Sequence, residues 1–210
     1  FGLTKEGKEL LPRAEEWIKQ LKRSVVLEEL PFIRVATTHA IARVAIPPIL
    51  PVAHIELKLM RPDKAYAAVL RDQADVAIVL DNATWEGVII SELGHGCFQL
   101  YSSVKDAHEK PVLLPEDQIE VLAFQQRWFQ VYGHPLAIKA RLPSWSLIAD
   151  ICSSSTEVGF LPDFLAQQVQ LHPVEHQPTS LHYRILALHR HQGDVFQKRL
   201  NELFSIWRTI

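Results

Sequence analysis

The chain has 210 residues, of which 48% are hydrophobic and 22% are charged. This balance is typical of a folded protein with one sizeable core or two small ones, and it excludes a mainly disordered chain. The formal net charge of -2 differs from the basic surplus of most nucleic-acid-binding domains. We therefore expect that this part of the protein does not itself contact DNA.

The first thirty residues predict a long amphipathic helix. Thr4 is a suitable N-cap, and Glu6 places negative charge at the positive end of the helix dipole. We predict that the helix begins near Lys5, kinks at Pro12, which lacks the amide needed for an internal hydrogen bond, and stops before Pro31. Its apolar residues recur three or four positions apart: Leu10, Leu11, Ala14, Trp17, Ile18, Leu21 and Val25. Such a stripe needs a surface to pack on, either its own domain or a second subunit.

After this helix, short β-rich runs alternate with helical ones. We predict strands at 32–37, 55–60 and 75–80, separated by helices at 40–50 and 63–73. The third strand is a continuous apolar run, which is typical of a buried parallel strand. Alternation of strands and helices predicts right-handed crossovers and a doubly wound α/β sheet.

The same alternation returns in the second half of the chain. We predict strands at 121–124, 136–138 and 158–161, and a helix at 145–152. Two small sheets are expected rather than one large sheet.

Two stretches, 97–103 and 183–189, are the predicted crossings between these sheets. Asp63 is the predicted cap of the helix over 63–73, and Asp194 that of the last helix. The last helix aligns apolar residues that should close the first lobe: Phe196, Leu200, Leu203, Phe204 and Trp207.

Several stretches resemble LysR-type transcriptional regulators. Residues 3–11, a Leu-Thr pair, a glycine three residues after the threonine and then a leucine pair opening a long helix, are similar to that family's linker. Residues 32–39 resemble its first strand and polar turn, and residues 70–78 its charged turn before an aspartate-led buried strand. Residues 157–162 resemble the family's late segment of glycine, apolar residues and proline.

The resemblance implies an α/β fold of two small Rossmann-like lobes, similar to type 2 periplasmic binding proteins, with an N-terminal linker helix. The linker or dimerisation helix would span 1–29, with the end of a winged helix-turn-helix at 1–4. One effector-binding lobe would span 30–103 and 182–210, and the other 104–181.

The resemblance also implies partners and a place in the cell. We expect a homodimer or homotetramer, a small-molecule effector, no membrane and a cytoplasmic location. DNA would be bound by a winged helix-turn-helix domain upstream of Phe1, where no initiator methionine stands. One departure is expected: between Phe124 and Pro143 the chain is too short for the usual strand, helix and strand, which predicts a trimmed second lobe.

Ligands of open α/β sheets bind beyond the carboxyl ends of strands, at helix N-termini. We therefore predict a cleft between the lobes. Thr37 and Thr38 follow the first strand, where they either bind a carboxylate or simply cap the helix, and Ser144 and Trp145 begin a helix of the second lobe. Further candidates are His39, Arg61, Gln125 and Gln126, with Arg127 nearby. His39 and Arg61 have the plainer alternative of facing solvent. Because donors outnumber acceptors, the expected ligand is a small anionic metabolite.

Other chemistry has little support in the sequence. Cys97 and Cys152 lack the spacing of a zinc or redox motif and are predicted to be buried thiols in a reducing compartment. His172 and His176 flank Pro173 and lack further ligands, so we expect no metal and no other cofactor. We find no nucleophile elbow, phosphate loop or acid–base pair, so no catalytic residue is predicted and the protein is not expected to be an enzyme.

Two alternatives remain open. A free-standing solute-binding protein of a transporter would share the two-lobed fold, but it should carry an export signal and needs no linker helix. A two-lobed α/β enzyme is the other alternative, and turnover of a metabolite would reveal it.

Overall fold

The computed structural model describes residues 4–25, 30–81, 83–105, 107, 110–116 and 118–208, without the side chains at 5, 6, 8, 9, 19 and 21–25. These residues contain seven α-helices: α1 Lys5–Val25, α2 His39–Ala45, α3 Pro62–Leu70, α4 Ile119–Tyr132, α5 Trp145–Ser154, α6 Asp163–Gln168 and α7 Asp194–Trp207. They also contain nine strands: β1 Phe32–Thr37, β2 His54–Leu59, β3 Val76–Leu80, β4 Ile89–Ser102, β5 Val112–Pro115, β6 Ile138–Leu142, β7 Val158–Pro162, β8 His172–Pro173 and β9 Leu181–His189.

The strands form a mixed sheet with the order β2-β1-β3-β9-β4-β7-β5-β6, and β8 pairs with β4. β1 is parallel to β2 and β3, and β5 is parallel to β6 and β7. β9 is antiparallel to β3, and β4 is antiparallel to β7. The first half of the sheet, β2-β1-β3-β9, and the second half, β6-β5-β7-β4, therefore share one topology.

The two halves are joined into one hydrogen-bonded sheet, which corrects the expectation of two separate sheets. β4 is 14 residues long, and it pairs with β9 over residues 89–98 and with β7 over residues 98–102. A single strand of this length belongs to both halves. The two predicted crossings, 97–103 and 183–189, lie mainly in β4 and β9. The limits given above for the two lobes remain a prediction.

The first half of the sheet follows its predicted elements, with shifts at helix starts. β1 has the predicted bounds, and β3 is buried along its whole length. The helix predicted over 40–50 is broken by a 3-10 turn, Pro47–Ile49. α3 begins at Pro62 after Arg61, so Asp63 lies in its first turn and is not its cap.

The second half contains the main error of the sequence analysis. The strand predicted at 121–124 is wrong, because these residues belong to α4, which buries Val121, Phe124 and Trp128 at helical spacing. The strand before it is β5. A short apolar run does not by itself distinguish strand from helix. Strand, helix and strand are all present between 112 and 142, so the expectation of a trimmed second lobe is also wrong.

The hydrophobic core runs under both halves of the sheet. In the second half Phe160 packs against Phe98 and Phe124, with ring centroids 5.6 and 4.7 Å away. α7 closes the first half as predicted, with its apolar residues Leu200, Leu203, Phe204 and Trp207 buried and Phe196 partly buried. Its cap is Gly193 rather than Asp194.

The helix α1 contacts the domain through polar side chains. Its start is as predicted, since the Gly7 amide donates to Thr4 Oγ1 at 3.1 Å, and the helix continues through Pro12. The buried Arg34 on β1 donates to Glu16 Oε1 at 2.9 Å. Gln20 Nε2 donates to Asp72 Oδ2 at 2.7 Å.

The apolar stripe of α1 is exposed in the single chain. Trp17 is 70% exposed and Ile18 52%. Leu10, Leu11 and Ala14 are exposed too, whereas Leu21 and Val25 lie outside the described side chains. The stripe does not pack on its own domain at the described positions.

Candidate functional site

A cleft lies between the two halves of the sheet, where the N-termini of four helices meet. Its volume is about 530 Å³. The central strands β1 and β5 lead into α2 and α4, and the outer strands β2 and β6 lead into α3 and α5. The residues that these helix starts contribute to the cleft are Thr38, His39, Arg61, Pro62, Gln118, Ile119, Glu120, Ser144 and Trp145. The carboxyl ends of parallel strands thus define the site, as the sequence analysis expected.

Two of the predicted hydroxyls cap helices at the edge of this cleft. Thr38 Oγ1 accepts from the Ile41 amide at 3.4 Å, and Ser144 Oγ accepts from the Leu147 amide at 3.2 Å. A hydroxyl that accepts through its oxygen still has its own hydrogen to donate. Capping and ligand binding are therefore compatible at both residues.

Thr37 does not line the cleft. It is fully buried, and its hydroxyl donates to the carbonyl of Ile78 at 2.6 Å. Thr37 therefore ties β1 to β3. Its predicted role as a ligand-binding donor is wrong, because the hydroxyl hydrogen is already used inside the sheet.

The predicted residues at 125–127 are also misplaced. They lie inside α4 and not at the end of a strand. Gln125 and Gln126 are not among the residues that line the cleft. Arg127 donates to the carbonyls of Thr179 and Ser180 at 3.0 Å each, so its guanidinium binds the chain itself.

Contacts between α2 and α5 join the two halves of the molecule. His39 Nδ1 lies 2.9 Å from Ser146 Oγ. One helical turn further along both helices, Arg43 donates to Asp150 Oδ1 at 2.8 Å. Arg61 contributes to the cleft from its rim, where its side chain is 82% exposed and lies 4.0 Å from an Asp63 carboxylate oxygen.

The sequence analysis missed the contribution of α4 to the cleft. Glu116, Gln118, Ile119 and Glu120 line it, and two of these carry carboxyl groups. Burial raises the pKa of Glu120 above its ordinary value, while a hydrogen bond from its own amide opposes the shift. The helical spacing of the buried residues of α4, after a polar turn, was the signal that could have found this helix start.

A second cavity of about 190 Å³ borders the cleft. Leu80, Ile119 and Glu120 line both spaces. The second cavity is otherwise lined mainly by apolar side chains, among them Phe98 and Leu181. The site thus combines a polar cleft with an apolar extension, and Glu120 lies between them.

The crossover strands are tied to α6 by Asp163. Its Oδ2 accepts from the Cys97 amide at 3.0 Å, and its Oδ1 accepts from the Tyr183 hydroxyl. Burial, followed by the charge of Asp163, raises the pKa of the Cys97 thiol. Cys152 is buried as predicted, and burial raises its pKa to about 12, whereas Cys97 is only half-buried. Both thiols are free.

Two further observations concern the described residues alone. They contain no group of three or more His, Cys, Asp or Glu side chains arranged to hold a metal ion. Among their helices, none combines the length and apolar character of a membrane span.

The geometry defines a two-lobed α/β binding domain with its site at the junction of the halves. Residues 32–204 match the family model described as the LysR substrate binding domain. The chain belongs to this family, and it is the effector-binding regulatory part of a LysR-type transcriptional regulator. Membership does not favour a free-standing solute-binding protein. No curated protein matches the chain.

Solved structures show the same fold at low sequence identity. The apo regulatory domain of HypT from Salmonella typhimurium is 11% identical with a TM-score of 0.70, over 88% of this chain and 99% of that chain. The reduced regulatory domain of OxyR2 from Vibrio vulnificus is 13% identical with a TM-score of 0.64, over 87% and 97%. CrgA, a LysR-type regulator from Neisseria meningitidis, is 17% identical with a TM-score of 0.67, over 98% and 80%.

Proposed function

We propose that this chain senses a small metabolite in the cleft and passes the signal to DNA-binding domains through α1. The observation that carries the proposal is the convergence of four helix N-termini on one cavity. Helix N-termini present free amides and partial positive charge, which favour an anionic group such as a carboxylate. Thr38 and Ser144, one from each half of the sheet, supply further donors.

The mechanism is a shift between conformations. A ligand that contacts both halves favours the arrangement in which both contacts are made. The contacts His39–Ser146 and Arg43–Asp150 belong to the arrangement in which α2 and α5 are close. A change in this spacing would alter the placement of subunits and of the DNA-binding domains that they carry. A regulator of this kind acts where the DNA is, so we place it in the cytoplasm.

The role of the cleft is tested by calorimetry with a panel of carboxylate metabolites. Thr38→Ala and Ser144→Ala each remove one donor and should cost about 0.5–1.5 kcal/mol of binding, or more if the bond is to a charged oxygen. Ser153→Ala is the matched control, because the Ser153 hydroxyl is exposed and bonds only to the Asp150 carbonyl of its own helix. Equal binding by all three variants, or no binding of any carboxylate, would contradict the anion site.

We also propose that the apolar stripe of α1 pairs with a second copy of the chain. Trp17 and Ile18 are large apolar side chains that a single chain leaves in water. Ile18→Asp should lower the association state in sedimentation velocity, whereas Glu15→Gln, at an exposed polar position on the edge of the stripe, should not. An unchanged association state of Ile18→Asp would remove this role from α1.

A further inference from the structure

Glu120 is a carboxyl group in the wall of the cleft without a compensating cation. Its Oε1 is buried and has no hydrogen-bond partner among the described residues. Burial raises its pKa, the hydrogen bond from its own amide opposes this rise, and no basic side chain contributes to the shift. A buried acceptor left without a partner destabilises the folded chain. This cost would be offset by a bound molecule that donates a hydrogen bond at the carboxyl.

The position of Glu120 makes such a molecule sterically reasonable. The carboxyl lies in the wall common to the cleft and the second cavity. Because Oε1 is itself covered, a donor entering from the cleft would meet the carboxyl group at Oε2, while an attached apolar group enters the smaller space. Leu80, Phe98 and Ala123 line that space. Trp145 packs against Phe98 in a tilted arrangement, with a centroid distance of 5.2 Å, and adds apolar surface at the boundary.

The charge balance of this wall favours a cationic donor over a neutral one. Glu120 lies in the first turn of α4, where the helix dipole favours its ionised form, but burial opposes ionisation. Glu116 adds a second carboxyl to the same side of the cleft. Two basic side chains line the cleft. His39 lies 2.9 Å from Ser146 Oγ, and Arg61 is exposed at the rim beside Asp63. A cation would supply the opposite charge that the buried carboxyl lacks.

We propose that Glu120 binds the ammonium group of the effector, and that the effector is a small amine with a short apolar substituent. The inference rests on the proposed function, since it assumes that the cleft is the effector site. With a carboxylate bound near Thr38 and Ser144, the effector would be zwitterionic. The anionic group would then contact both halves of the sheet, and the ammonium group would contact α4 of the second half.

The test uses n-butylammonium as the probe and the indole N–H of Trp145 as the reporter. This N–H lies in the cleft wall and has no hydrogen-bond partner among the described residues. In nitrogen–proton NMR spectra of the whole chain, n-butylammonium should shift the indole resonance in a saturable way, with a Kd in the millimolar range. Glu120→Gln should weaken this binding about tenfold or more, as expected for loss of a charged hydrogen bond.

Two controls make the result specific. Glu202→Gln removes an exposed carboxyl on α7 that lines neither cavity, and it should change the Kd by less than about threefold, since an exposed charge is well screened. n-Butanol has a similar size without the charge, and it should bind the wild type and Glu120→Gln equally. Equal binding of n-butylammonium to the wild type and Glu120→Gln would overturn the proposal.

Butyrate separates failure of this inference from failure of the proposed function. If butyrate binds and n-butylammonium does not, the ammonium site is wrong and the anion-binding cleft stands. If neither probe shifts the resonance, the effector cleft itself is wrong. If Glu120→Gln does not fold, the pKa of Glu120 is measured in the wild type instead, from the pH dependence of its carboxyl carbon resonance. n-Butylammonium should then lower the pKa of Glu120, and an unchanged pKa would contradict the proposal.

Discussion

The helices α2 and α4 occupy equivalent places in the two halves of the sheet, yet they bring different chemistry to the cleft. Each follows the central parallel strand of its half. α2 begins at Thr38, whose hydroxyl caps the helix, whereas α4 begins at Gln118 without a side-chain cap and carries Glu120 in its first turn. Topology therefore sets where the cleft lies, and the residues just after each strand set what it can bind.

The interiors of the two halves differ as well. The first half holds a buried ion pair, in which Arg34 NH2 lies 2.7 Å from Asp75 Oδ1. The second half is held by packed aromatic rings around Phe160. A buried ion pair is lost when either charged side chain is replaced, whereas aromatic packing depends on the volume of the side chains. The two halves should therefore respond to different kinds of substitution.

The largest effect is expected in the second half. Phe124→Ala removes a fully buried ring that packs on Phe160, and it should lower the free energy of unfolding by about 3–5 kcal/mol. Phe129→Ala is the matched control on the same helix. Its ring is 56% exposed, so the change should stay within about 0.5 kcal/mol. Urea denaturation measures both, and similar losses would contradict the helical placement of α4.

A somewhat smaller effect is expected in the first half. Asp75→Asn leaves the guanidinium of Arg34 buried without its main partner and should cost about 3 kcal/mol, since Glu16 and Asp72 remain beside it. Burial lowers the pKa of Arg34, but the hydrogen bond and charge of Asp75, with Glu16 and Asp72, outweigh it, so the net shift is upward.

Asp63→Asn provides the control for the ion pair. Asp63 is exposed and lies 4.0 Å from Arg61 Nε. Its replacement should leave the urea midpoint nearly unchanged. If Asp75→Asn changed the urea midpoint as little as Asp63→Asn, the Arg34–Asp75 ion pair would not be what stabilises β1 in the sheet.

The first half of the sheet could be predicted well from sequence because its signals agree with one another. The apolar run of β3, the alternation in β2 and the prolines after α2 all point to the same elements. Helix starts were less certain, since Asp63 is a good capping residue that lies within the first turn and not before it. Local preference does not distinguish these neighbouring positions.

The second half was predicted less well because its central helix begins with a short apolar run. Residues 121–124 were assigned to a strand, although Trp128 continues their helical spacing. Because of this error, Glu120 is not among the predicted cleft residues. Thr37 shows a different limit: its sequence position is that of a ligand-binding donor, but its hydroxyl is used by Ile78. The acceptor to which a hydroxyl donates depends on the tertiary arrangement. No local sequence pattern reveals that arrangement.

A smaller effect is expected for the two helix caps that line the cleft. Ser144→Ala should destabilise the fold by about 1 kcal/mol, a typical value for loss of a cap. Thr38→Ala should cost about 0.5 kcal/mol, because its capping bond of 3.4 Å is longer than the 3.2 Å bond of Ser144. Thermal unfolding of both variants gives the comparison. The reverse order would mean that bond length does not rank the two caps.

The last expectation is a dependence on pH that arises from Glu120 in the second half. Because burial raises the pKa of Glu120 in the folded chain, ionisation is harder there than in the unfolded chain. The associated stability is present below the ordinary pKa of a glutamate and is lost as the pH rises through the higher folded value. Gln does not titrate, so Glu120→Gln should gain stability relative to the wild type between about pH 4 and about pH 8. Glu116→Gln controls for loss of a charge in the same cleft. The urea midpoints of the wild type and Glu120→Gln are compared at about pH 4 and about pH 8. The same difference at both pH values would contradict burial of the Glu120 carboxyl. It would also remove the uncompensated charge on which the ammonium site depends.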